Sequence, residues 1–139
     1  MNKSVTMLSV LATAGIIALK TMDVSALLPD PRDFWPETNQ QNVQNYYAFK
    51  AQFSGILNEL GAEKITLREA NFRVESLARS LWPNYIANLS MSETGKTQQE
   101  RMARNLVGHI KNFAEFGELP VSRGIAVEAE LDEMLADLR

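Results

Sequence analysis

Apolar side chains recur every third or fourth residue through four stretches of this chain, and that spacing predicts helices. Tyr46, Phe49, Phe53, Ile56, Leu57 and Leu60 form one stripe, and Gly61 behind it is expected to end that helix in the left-handed conformation. A second stripe runs through Leu67, Ala70, Val74, Leu77, Ala78 and Leu81. It opens on Thr66 and Glu69, a spacing that lets the threonine accept the glutamate's N–H while the glutamate reaches back. Pro83 stops it, because proline lacks the N–H and clashes with the preceding turn. Tyr85, Ile86 and Leu89 then suggest one short further turn. Thr97 and Glu100 repeat the capping pattern before a third stripe of Met102, Leu106, Ile110 and Phe113, closed by Gly117 and Pro120. The last helix is expected from Arg123 to Leu138, with Val127, Leu131, Met134, Leu135 and Leu138 on its apolar face. No segment alternates with period two for long enough to argue a strand. The expected fold is therefore all-α: a small antiparallel bundle of about four helices over residues 40–139.

The N-terminal stretch follows a different pattern. Residues 5–19 carry no charge, Lys3 precedes them, and Val24, Ser25 and Ala26 form a small-residue site. These are the three parts of an export signal, with cleavage expected between Ala26 and Leu27. The same residues read as an uncleaved anchor if Lys20 extends its stem toward the membrane surface. Residues 1–26 are thus a signal peptide or membrane anchor, and they touch the membrane only if they stay attached. Residues 27–39 form an arm, since Pro29, Pro31 and Pro36 hold the backbone extended. Phe34 and Trp35 sit on that arm. They either pin it to the domain or serve as the candidate partner contact.

Composition narrows the function classes. The 139 residues suit one helical domain with a modest core, and 45% of them are apolar. A net charge of -3 with no basic run argues against nucleic acid as a partner. With no cysteine, thiolate chemistry, disulfides and lipid attachment are excluded. Gly95, Lys96 and Thr97 resemble the end of a phosphate loop, but position 90 is Ser90 where that loop needs glycine, so the segment reads as a turn and a helix cap. His109 is the single histidine, at the margin of the third stripe, where a satisfied boundary position is expected. Glu128 and Asp132 share a face of the last helix, where paired carboxylates can hold a cation or, more commonly, meet solvent. Arg68, Arg73, Arg79, Arg101, Arg104 and Lys111 offer them partners from the two helices before.

Three stretches carry a resemblance. ITLREA from Ile65, ERMARNLVGHIKNF from Glu100 and VEAELDEML from Val127 resemble small uncharacterised helical proteins of planctomycete bacteria. That resemblance covers about half of the chain and implies an all-helical bacterial domain, without an activity or site residues. The functional expectation is a non-enzymatic interaction or structural module of the bacterial cell envelope, exported or anchored by its N-terminus. It needs no cofactor, and its partner is another envelope protein or itself. A ligand- or cation-binding sensor, built on His109 and the acidic last helix, is the alternative.

Overall fold

The computed structural model describes residues 40–139, which fold into five helices with no strand among them. These are α1 (Gln40–Gly61), α2 (Leu67–Leu81), α3 (Asn84–Ser92), α4 (Gln98–Glu115) and α5 (Val121–Asp137). The expected all-α bundle is what forms, with the short segment after Pro83 making a helix of its own. Residues 1–39 lie outside the described residues, and with them the cleavage site Ala26–Leu27 and the aromatic pair Phe34 and Trp35. No helix among the described residues is long and apolar enough to cross a membrane.

Helix α4 is the hub and packs against each of the other four. Its Met102, Ala103, Leu106, Ile110 and Phe113 are buried, and they meet Phe49, Phe53, Leu57 and Leu60 of α1, Val74 and Leu77 of α2, and Val127 and Leu131 of α5 in one core. At the α2–α3 end the core is aromatic. Tyr46 meets Trp82 edge to face at 4.9 Å, and Tyr85 lies against both Phe49 and Phe53. Helices α4 and α5 run antiparallel, so that Lys111 pairs with Glu128 and Gly124 passes close to Ala114.

The helix ends show why the breaks fall where they do. Thr66 Oγ1 accepts the Glu69 N–H at 3.2 Å, and Thr97 Oγ1 accepts that of Glu100 at 3.1 Å, as the capping pattern requires. The return bond of the second cap is displaced by one residue. Glu100 accepts from the N–H of Lys96 at 2.9 Å rather than from that of Thr97. That bond, together with the Arg104 guanidinium, holds the Glu100 carboxyl below its ordinary range. Pro83 ends α2 and opens α3 as its N-cap.

Gly61 departs from its expected part. It is the last helical residue, and the left-handed residue of this turn is Glu63, at φ 61°. What excludes a side chain at Gly61 is packing. A Cβ there would lie 3.0 Å from a methyl of Leu119, because the α4–α5 connection is pressed against the end of α1.

A part-buried polar chain fixes α3 to α4. The Tyr85 hydroxyl donates to Asn105 at 2.8 Å, and Asn105 donates to Glu93 at 3.0 Å. Burial, seconded by the nearby Glu93 charge, pushes the phenol well above its ordinary value, so it stays a neutral donor. Tyr85→Phe keeps the ring packing and leaves the Asn105 carbonyl without its donor. A loss of about 1–2 kcal/mol is expected in urea unfolding. Unchanged stability would show that solvent already satisfies Asn105.

Candidate functional site

The charged residues that suggested chemistry in the sequence are mostly engaged with one another. Arg68 pairs with Asp137, Arg73 with Glu59, and Lys111 with Glu128, each joining two helices. Arg79 pairs with Glu75 and Arg104 with Glu100 one turn apart on a single helix. Arg101 donates to the Gly95 carbonyl at 3.0 Å. Glu128 is therefore engaged with Lys111. Among the described residues, no group of three His, Asp or Glu side chains is placed to hold a metal.

The most deeply buried charge is one the sequence reading used only as a helix start. Arg123 is 5% exposed, inside the bundle. Its Nε and Nη2 donate to the Leu60 carbonyl at 3.0 and 2.8 Å, and its Nη1 donates to Glu130 at 3.1 Å. The other Glu130 oxygen accepts the N–H of Leu67 at 2.6 Å. A cation thus closes the C-terminus of α1, and an anion closes the N-terminus of α2. Both signs are those that helix dipoles favour. One pair of side chains from α5 holds both ends of the α1–α2 turn. The signal was present in the sequence: Arg123 stands four residues before Val127 and seven before Glu130, in register with a buried stripe.

His109 is not at a margin. It is 4% exposed, with its ring edge-on to Phe53 at 5.4 Å and tilted against Phe113 at 6.4 Å. Its Nδ1 is buried without a hydrogen-bond partner. Helix α4 is covered on both flanks, by α1 on one and α5 on the other, so a position beside the stripe becomes interior. Burial lowers the imidazole pKa from 6.5 to about 4 and keeps the ring neutral.

The Gly95–Lys96–Thr97 segment forms a turn and cap. A hollow of about 350 Å³ lies there among Lys96, Thr97, Glu100, Arg104, Leu135, Leu138 and Arg139. The Glu100 carboxylate accepts the Lys96 N–H of this turn and pairs with Arg104.

Two surfaces remain with features beyond structural need. Between α1 and α2 a groove of about 620 Å³ is lined by Gln52, Gly55, Ile56 and Glu59 on one side and by Phe72, Arg73, Ser76, Leu77 and Ser80 on the other. Phe72 stands at its edge 70% exposed, and a Cβ on Gly55 would meet nothing within 4 Å. The second surface surrounds the α4–α5 turn. Phe116, Val121 and Ile125 are exposed there, and the latter two line an apolar groove of about 220 Å³. Neither surface was legible as a site. Phe72, Phe116 and Ile125 lie off the periodic stripes, and the sequence alone does not separate a side chain off the stripe from one gathered with others in space.

No protein-family model, curated protein or solved structure matches the chain.

Proposed function

We propose that this chain is a non-enzymatic interaction or structural module of the bacterial cell envelope, which engages another envelope protein or a second copy of itself. The observation that carries the reading is the pair of exposed aliphatic side chains lining the α4–α5 groove, Val121 and Ile125, with Phe116 also exposed at the end of α4. Isolated apolar side chains at a surface need no explanation, whereas grouped ones beside a concavity mark contact surfaces. The ionisable groups support the same reading. The buried Arg123 closes a helix end, and the buried His109 packs against aromatic rings. The envelope part of the reading rests on the export or anchor pattern of residues 1–26.

The test is isolation of the full chain from the envelope fraction of its own host under mild conditions. A stoichiometric protein partner, or a stable assembly of the chain with itself, is expected. It should be lost when Phe72→Ser and Ile125→Ser are introduced together in a chain that still unfolds at its normal midpoint. Recovery of monomer alone, or of the chain in a cytosolic fraction, sinks the proposal.

A further inference from the structure

We draw no further inference here: the strongest candidate, the groove between α1 and α2 with Phe72 exposed at its edge and open space beyond Gly55, carries nothing because nothing in the structure shows what covers it.

Discussion

Replacement of Arg123 by methionine is expected to cost about 3 kcal/mol of folding stability, near the low end of what breaking a buried ion pair costs. Methionine retains much of the aliphatic stem, so the loss isolates the guanidinium. Two charge-assisted bonds to the Leu60 carbonyl disappear, together with the Glu130 contact. The cost stays toward the low end for two reasons. The Leu60 carbonyl keeps a longer bond from the Glu63 N–H at 3.3 Å, and the Glu130 side chain, 30% exposed, can turn toward water. Arg123→Lys should recover only part of the loss, because a point charge cannot donate to Leu60 and Glu130 at once with the fork geometry of a guanidinium. Glu130→Gln should cost a comparable amount, about 3 kcal/mol, because it leaves the buried Arg123 guanidinium without its counterion, and the single amide oxygen cannot serve both Leu67 and Arg123 as the two carboxylate oxygens do. Urea unfolding monitored by circular dichroism measures all three. A cost below about 1 kcal/mol for both Arg123→Met and Glu130→Gln would show that the clamp contributes little to stability.

The residues that carry this clamp also show where sequence reading stops. Helix periodicity is local, and it placed α1, α2 and α4 to within a residue or two, because Thr66, Pro83 and Thr97 fix chain direction with bonds to near neighbours. Arg123 and Glu130 act over sixty residues of separation, on the end of α1 and the start of α2, and nothing in their local spacing names those partners. The residue that turns the chain after α1 was missed for a similar reason. Glycine is the cheapest left-handed residue, so Gly61 drew the assignment. In the structure Leu119 of the α4–α5 connection packs against Gly61, and the left-handed residue of the turn is Glu63. His109 shows the same limit for burial. Its spacing from Leu106 and Phe113 is helical, and only the coverage of α4 from both flanks turns that flank into interior. The surface grooves depend on how helices meet and were the least legible of all, since Val121 and Ile125 line a groove only after α4 and α5 are laid side by side.

His109 sets the second large effect, a loss of stability on mild acidification. The unfolded chain takes up a proton at this imidazole near its ordinary pKa of 6.5, whereas the folded chain resists until about 4. Between those values the unfolded state binds more protons, so stability falls as pH falls. Above 6.5 both states are neutral at His109 and the residue contributes no pH dependence. Across the window the loss reaches about 3 kcal/mol, from about 1.4 kcal/mol per unit of displacement. Carboxylates can add their own pH dependence under acid conditions, so the wild-type curve alone does not identify the histidine. His109→Leu does, because it removes the one imidazole and keeps an apolar side chain against Phe53 and Phe113. The stability difference between wild type and variant, measured by urea unfolding, should be flat above pH 6.5 and should shift in favour of the variant by up to about 3 kcal/mol by pH 4. Direct titration of the imidazole by NMR should find it neutral at pH 5.5. A difference curve that stays flat through the whole window would mean that the ring reaches solvent in the folded state, and a ring already charged at pH 5.5 would say the same.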